Sequence, residues 1–183
     1  MKKEIAVILE EVNGVFHKMD EGATDLLLKH LQSETRIFIV GEGRSGFMAK
    51  AFAMRLMHLG LNVYVVGETI TPSIAKGDLI IAISGSGSTK SVISVAEKGR
   101  ENGCRVISIT TNDQSDLAHV SHEILLIPAA TKNRLEHETK SIQPLSSLFD
   151  QCVHVLCDAV CLDYSLTQSI SHELTYSKHS NVE

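Results

Sequence analysis

Five short apolar runs, rich in β-branched residues, alternate with stretches of helical periodicity along most of this 183-residue chain. In order, the runs read RIFIV, NVYVVG, DLIIAIS, RVISIT and EILLIP. Strands that are apolar throughout must be covered on both faces, and strands separated by helices pair in parallel. The sequence therefore predicts an α/β fold in which helices cover both faces of a parallel sheet through right-handed crossovers.

Helices are expected around these strands wherever apolar residues recur every three or four positions. Two helices should precede the first run, and one should follow each of the first and third runs. A long last helix should begin near Pro144, which suits a first turn, with an apolar side made of Leu148, Cys152, Val155 and Ala159. The segment AATKNRLEHETKS is expected to be an exposed loop, and the polar tail SHELTYSKHSNVE to lack regular structure.

Charge and composition exclude several classes of function. The formal net charge is −5, whereas nucleic acids and anionic membranes are bound by basic faces, so neither is an expected partner. No apolar run approaches the length of a membrane span, and no targeting segment is evident. The cysteines, which lack a C-x-x-C pair, and the unclustered histidines predict no metal site. Buried, reduced thiols are expected instead, and with them a cytoplasmic location; the cysteines are Cys104, Cys152, Cys157 and Cys161.

Two glycine-rich loops, GEGRSG at 41–46 and SGSGST at 84–89, follow the first and third runs. Ligands of parallel sheets bind at the carboxyl ends of strands, near the change in strand order. Glycines let the backbone approach a ligand, hydroxyls donate uncharged hydrogen bonds, and a helix N-terminus attracts anions. The pair of loops therefore predicts a phosphate site, the alternative being ordinary tight turns with serine caps. Neither loop meets the further requirements of a dinucleotide or Walker motif.

Three segments resemble the sugar isomerase (SIS) domain family: GEGRSGFMAKAFAMRLMHLG, SGSGSTKS and IQPLSSLFDQ. The resemblance runs from Ile37 to Glu183. It implies one SIS domain over 1–183, built as a three-layer αβα sandwich with a five-stranded parallel sheet. It also implies a homo-oligomer, usually a tetramer, with active sites at subunit contacts.

The activity that this resemblance implies is the isomerisation of a 3-keto hexulose 6-phosphate to fructose 6-phosphate through an enediol. That step belongs to the ribulose monophosphate route of formaldehyde fixation, where hexulose-phosphate synthase is the expected functional partner. No metal or redox cofactor is expected for this chemistry.

The resemblance assigns the phosphate to the hydroxyls of Ser84, Ser86 and Thr89, and the sugar side to Gly43 and Ser45. The substrate-binding residues expected in all are Gly43, Arg44, Ser45, Ser84, Gly85, Ser86, Ser88, Thr89 and Lys90. Ser88 stands where relatives usually carry glutamate. Arg55, like Arg44, is a further candidate for holding substrate oxygens. The alternative for both arginines is an ion pair with Glu42 or Glu68, and the alternative for Lys90 is a solvated helix residue.

Asp150 is the expected catalytic base, at a position where relatives carry glutamate, and its shorter side chain leaves its reach open. Moving a carbonyl between adjacent carbons needs one base for the carbon protons. A second group must move the hydroxyl protons and stabilise the enediolate. His58 and His179 are the candidates, although His58 can equally be a core or interface residue and His179 a solvated tail residue. Glu136 and Glu138 are fallback bases.

Two other functions stay open at this point. One is a different aldose–ketose phosphosugar isomerase, acting on a pentose or heptose phosphate. The other is a non-catalytic sugar-phosphate sensor, which usually carries a helix-turn-helix domain in front. Only 35 residues precede RIFIV, and they lack the basic face that DNA binding requires.

Overall fold

The computed structural model describes residues 1–31, 35–134 and 138–182. These ranges contain a sheet of five strands, which coincide with the five apolar runs: β1 (Arg36–Gly41), β2 (Asn62–Val65), β3 (Leu79–Ile83), β4 (Arg105–Thr110) and β5 (Glu123–Leu126). The strands pair in parallel in the order β2-β1-β3-β4-β5. The predicted α/β class and the five-stranded parallel sheet are confirmed.

Helices cover both faces of the sheet. They are α1 (Lys2–Phe16), α2 (Ala23–Leu28), α3 (Gly43–His58), α4 (Lys90–Glu101), α5 (Asp116–Val120), α6 (Ser147–Thr167) and α7 (His172–Ser177). The apolar core on one face is formed with α1, α2, α3 and α6, and the core on the other face with α4 and α5. The predicted three-layer sandwich is therefore confirmed.

Successive side chains of a strand point to opposite faces of the sheet, so each strand contributes residues to both cores. In β1, Ile37 and Ile39 pack toward α3 and α6, whereas Phe38 and Val40 pack toward α4. All five residues of β3 are buried, as a central strand of a covered parallel sheet requires. Each fully buried Ile, Leu or Phe contributes about 1.5–3 kcal/mol relative to an exposed one, so these strands carry much of the stability on which the site depends.

The expected apolar side of α6 is only half correct. Leu148 and Cys152 are buried, but Val155 and Ala159 are exposed. The buried residues follow a wider stripe, since α6 packs into the core of its face and contacts α1, α2 and α3. They are Ser147, Leu148, Phe149, Asp150, Cys152, Val153, Leu156, Cys157, Val160, Cys161 and Tyr164. All four cysteines are buried and free, and burial raises the pKa of Cys152 to about 12, so it is an inert thiol.

Two short helices depart from the sequence-based expectations. In α5 the Ser115 side chain accepts a hydrogen bond from the Ala118 N–H, and in α7 Ser171 accepts one from the Leu174 N–H. A serine cap satisfies a backbone donor that would otherwise lack a partner. The tail, expected to lack regular structure, therefore holds one helix.

The segment after β5 also differs from the expected exposed loop. Ala129, Ala130 and Thr131 are buried, and the Glu138 carboxylate accepts hydrogen bonds from the Thr131 N–H (2.9 Å) and hydroxyl (2.5 Å). This contact fixes Thr131 and Glu138, whereas Lys132, Asn133 and Arg134 are exposed as expected. Of the helices in the described ranges, none has both the length and the apolar character that crossing a bilayer requires.

Candidate active site

The two glycine-rich loops leave the sheet side by side. Gly41 at the end of β1 is paired in register with Ile83 at the end of β3. The chain passes from β1 outward to β2 and then returns to β3 on the other side of β1, which makes this the point where strand order reverses. Open α/β sheets bind their ligands at such a point.

A cavity of about 280 Å³ opens at this edge of the sheet. The two loops, the segment after β5 and the start of α6 contribute its walls. Its lining residues are Glu42, Arg44, Ser45, Ile83, Ser84, Gly85, Ser86, Thr89, Lys132, Leu145, Ser146, Ser147 and Asp150.

The serine loop, residues 84–89, is held in shape by its own hydroxyls. Ser84 and Thr89 share a hydrogen bond of 2.9 Å between their side-chain oxygens, and Ser86 and Ser88 share one of 2.8 Å. The Gly85 carbonyl accepts hydrogen bonds from the hydroxyls of Thr110, the last residue of β4, and of Thr111. Ser84, Ser86 and Thr89 thus face the cavity in a fixed arrangement at the start of α4, as an anion site requires.

Two glycines of this loop are required by their surroundings. Gly87 has a φ of +62°, and a Cβ there would lie 2.0 Å from the Ser115 hydroxyl. A Cβ at Gly85 would lie 3.0 Å from the Phe149 ring, so α6 packs directly on the backbone of the loop. The loop is therefore closed on its inner side and can receive a ligand only from the cavity.

The first glycine loop instead bonds across the cavity to α6. The Ser45 hydroxyl donates to Asp150 Oδ1 at 2.7 Å. Arg44 donates from its guanidinium to the Ser147 hydroxyl at 3.2 Å, and its Nε lies 3.7 Å from Asp150 Oδ2. Both oxygens of the carboxylate are therefore oriented by residues of the first loop.

Asp150 is buried, with 3% of its surface exposed. Burial raises the pKa of Asp150, while the hydrogen bond from Ser45 and the positive charge of Arg44 lower it, and the net shift is upward. A carboxyl group with a raised pKa is a stronger base once ionised, which suits proton transfer near neutral pH.

Not all of the expected site residues line the cavity. Within the described ranges the lining includes Arg44, Ser45, Ser84, Gly85, Ser86, Thr89 and Asp150. Gly43, Ser88 and Lys90 are exposed neighbours of lining residues. Gly43 has a φ of +57° and opens α3, so its contribution is to the turn.

The two candidate histidines lie away from this cavity within one chain. His58 is the last residue of α3, about 22 Å from the start of that helix at a rise of about 1.5 Å per residue. Its ring stacks on His179 with centroids 5.4 Å apart. Burial, with smaller effects from Arg55 and His179, lowers the pKa of His58. One chain therefore does not bring these rings to Asp150.

The structure adds residues that the sequence argument missed, chiefly Lys132, Ser146 and Ser147. Both serines lie within one helical turn before Asp150, a spacing that could have indicated a shared face. Lys132 is brought in by its N–H, which donates to the Ser146 hydroxyl at 3.1 Å; no local signal indicates that contact. Arg44 and Lys132 are thus the cations of the lining.

The structure gives other partners to Glu138, one of the fallback bases, and to Glu68, one of the expected ion-pair acids. The Glu138 carboxylate is engaged by Thr131, and Glu136 lies outside the described residues. Glu68 lies 3.3 Å from Lys50, so its ion-pair partner is Lys50 and not an arginine.

The cavity therefore combines an uncharged, hydroxyl-rich loop with a buried carboxylate and two cations. An anionic substrate held at the serine loop would extend toward Asp150, where a proton could be removed and returned. In the part of the chain that the structure describes, no group of three or more His, Cys, Asp or Glu side chains is placed to hold a metal ion.

Comparison with known proteins points the same way. The SIS domain model matches residues 30–155. A 3-hexulose-6-phosphate isomerase of Bacillus subtilis is 39% identical over 98% of this chain and 97% of its own length. One from Mycobacterium gastri is 36% identical over 98% of this chain and 89% of its own. The crystal structure of a hypothetical protein from Methanococcus jannaschii, inferred to be a 3-hexulose-6-phosphate isomerase, has a TM-score of 0.84 and 29% identity over 99% of both chains.

Proposed function

Because this chain belongs to the SIS domain family, we propose that it isomerises 3-hexulose 6-phosphate to fructose 6-phosphate. The observation that carries this proposal is the pairing of a serine-rich anion loop with a buried carboxylate in one cavity. The full-length similarity to 3-hexulose-6-phosphate isomerases supports the choice of substrate. The step would serve the ribulose monophosphate route of formaldehyde fixation, following hexulose-phosphate synthase.

The serine loop binds the phosphate in this proposal. The hydroxyls of Ser84, Ser86 and Thr89 rotate to donate to its oxygens, which replaces the bond between Ser84 and Thr89. The free N–H groups at the start of α4 add to the attraction. Since the chain carries a net charge of −5, binding depends on these local donors. Lys90, exposed at the first position of α4, adds a positive charge close by.

Asp150 moves the carbon-bound proton. It removes the proton from C2 of the 3-ketose, and the electron pair forms the C2–C3 double bond of an enediolate as the C3 carbonyl oxygen becomes negative. A hydroxyl proton passes from O2 to O3, and Asp150 returns its proton to C3, which leaves the carbonyl at C2. Arg44 and Lys132 are placed to stabilise the negative oxygen.

We propose further that the chain is a single domain that assembles, as a tetramer or a smaller homo-oligomer. Large apolar side chains are exposed on α1 and α6, among them Leu9, Leu162 and Leu166 at about 60–70% exposure. Assembly would also give His58 and His179 a route to the site of another subunit, which one chain alone does not provide. A monomer by light scattering at micromolar concentration would count against this arrangement. The expected cytoplasmic location stays a prediction.

The proposed reaction is tested with substrate generated by hexulose-phosphate synthase, by measuring the fructose 6-phosphate that forms. Pentose and heptose phosphates serve as competing substrates, and the Asp150→Asn variant as the blank. Faster turnover of another sugar phosphate would assign a different phosphosugar isomerase. Tight binding without any turnover would assign a sensor.

A further inference from the structure

Glu11, in the middle of α1, contacts a segment that is far away in sequence. Its carboxylate accepts three hydrogen bonds: from the Ser141 hydroxyl to Oε2 (2.6 Å), from the Ile142 N–H to Oε1 (2.8 Å) and from the Gln143 side-chain amide to Oε2 (2.9 Å). Three donors from consecutive residues on one carboxylate fix the position of the backbone that carries them. Hydrogen bonds to a charged acceptor are also stronger than those between neutral groups.

The surroundings of this contact are built to keep it ionised and in place. Burial alone would raise the pKa of Glu11, but the three hydrogen bonds and the nearby Arg134 charge lower it overall. Arg134 also donates to the Gln143 carbonyl, so Gln143 is held by Arg134 through its backbone and by Glu11 through its side chain. Gln143 is itself buried, with 7% of its surface exposed, and its N–H donates to the Ser141 hydroxyl.

The segment that Glu11 holds continues directly into the candidate active site. We call residues 141–147 the rim segment. Its last three residues, Leu145, Ser146 and Ser147, line the cavity. Leu145 has a φ of +53°, which costs free energy in a residue with a Cβ and persists only where the surrounding structure imposes it. Glu11 restrains the segment before Leu145, and α6 restrains it after.

We propose that Glu11 is a positioning residue of the active site: through its three hydrogen bonds it holds the rim segment against the cavity, where that segment contacts bound sugar phosphate. The inference rests on the proposed function for its substrate. It extends that function to α1, which contributes no residue to the cavity lining. Because the rim segment contacts the substrate before and during the reaction, its loss weakens binding more than it slows the chemical step.

The test is Glu11→Gln, with Glu10→Gln as the matched control, since Glu10 is the exposed neighbour on the same helix. The amide removes the charge and presents a donor to the Gln143 amide. We expect the KM to rise about tenfold and kcat to stay within about twofold, because hydrogen bonds to a charged group are lost while Asp150 is untouched. The Kd of fructose 6-phosphate, measured by calorimetry, should rise by the same factor, and hydrogen exchange should accelerate in peptides covering 141–147. Glu10→Gln should match the wild type in all of these.

A purely structural role would give the opposite pattern, with kcat lowered through fewer active molecules, KM unchanged and faster exchange across β1 and β3. That result overturns the inference, and so does faster exchange at the rim segment with KM unchanged. If Glu11→Gln does not fold, Ser141→Ala removes one of the three donors and should raise KM about threefold; an unchanged KM there is decisive against the role. A wild type that binds fructose 6-phosphate without turnover overturns the proposed reaction, and the Kd values then decide the role of Glu11.

Discussion

The two glycine-rich loops start from paired residues of the sheet, yet they are stabilised in different ways. The serine loop bonds mainly to itself, to the end of β4 and to α5, through neutral hydroxyls and backbone carbonyls. The first loop makes its side-chain contacts across the cavity, through Arg44 and Ser45 to α6. The polar contacts of the serine loop are thus made within the loop and with β4 and α5, whereas those of the first loop depend on the position of α6.

This difference separates two tasks. A phosphate is a fixed, symmetric anion, so hydroxyls already held around one point bind it with no more than a rotation of their O–H bonds. Proton transfer needs a base whose pKa and orientation are tuned by specific neighbours. The comparison predicts that changes in the serine loop alter substrate affinity, and that changes in the first loop or at Asp150 alter turnover and its pH dependence.

Asp150→Asn should produce the largest effect. We expect turnover to fall by about 10²–10⁴, the usual contribution of a positioned acid or base, with KM for the phosphosugar nearly unchanged. Steady-state kinetics on the synthase-generated substrate would measure both values. Asp150→Glu is the control, since it keeps the carboxylate and should retain most of the activity.

If Asp150→Asn keeps turnover within a few fold while His58→Ala or His179→Ala abolishes it, the base has been assigned to the wrong residue. The proposed reaction would survive that result. The contrast between the loops would not, because the first loop would then no longer orient the catalytic group.

Ser84→Ala and Ser86→Ala should each raise KM for the phosphosugar by about ten- to a hundredfold, the cost of a lost hydrogen bond to a charged group. Inhibition by inorganic phosphate should weaken in parallel, since only that part of the substrate is assigned to the loop. Ser165→Ala is a suitable control, because that hydroxyl donates to a carbonyl of its own helix. A crystal soaked with fructose 6-phosphate that placed the phosphate elsewhere would contradict the assignment.

The serine loop could be predicted from the sequence because its chemistry is local. Hydroxyls and glycines lie within six residues, directly after a recognisable strand. Asp150 was named from the resemblance and does line the cavity, but its contacts with Ser45 and Arg44 join residues more than 100 positions apart and were not predicted. Ser146 was missed although its spacing from Asp150 could have indicated it. Lys132 was missed because its contact with Ser146 spans 14 positions of a segment without periodicity. Residues 141–143 of that region are held by Glu11, 130 to 132 positions away.

The helices show the same limit. Long helices were predicted from apolar spacing, whereas α5 and α7 depend on a single serine cap each. The predicted buried side of α6 was wrong at Val155 and Ala159. Apolar residues lie on more than one side of this helix, and their spacing alone does not tell which side faces the core. His58 and His179 were predicted from residue type, and the structure places them together at the far end of α3.

Ser45→Ala tests, through the pH dependence of kcat/KM, whether the first loop tunes Asp150. The Ser45 hydrogen bond lowers the pKa of Asp150, so its removal should raise that pKa further. Because the base must be ionised, the acid limb of the kcat/KM profile should move to higher pH, with a smaller loss of activity well above it. Ser45→Thr keeps a hydroxyl and should keep the wild-type limb. An unchanged limb in Ser45→Ala would mean that another group titrates.

The smallest expected effect concerns stability, and it follows from the same buried carboxylate. The pKa of Asp150 is raised in the folded chain, so folding favours its protonated form. The stability associated with that form is fully present below the unfolded pKa and is lost as pH rises through the folded pKa. Asn cannot ionise, so Asp150→Asn should raise the Tm at neutral pH, and the difference should shrink toward zero as pH falls. Thermal unfolding measured across this range, with Asp113→Asn as an exposed control, tests the sign. A lower Tm for Asp150→Asn at neutral pH would mean that Ser45 and Arg44 stabilise the carboxylate by more than its burial costs, and the first loop would then hold a structural ion pair and not a strained base.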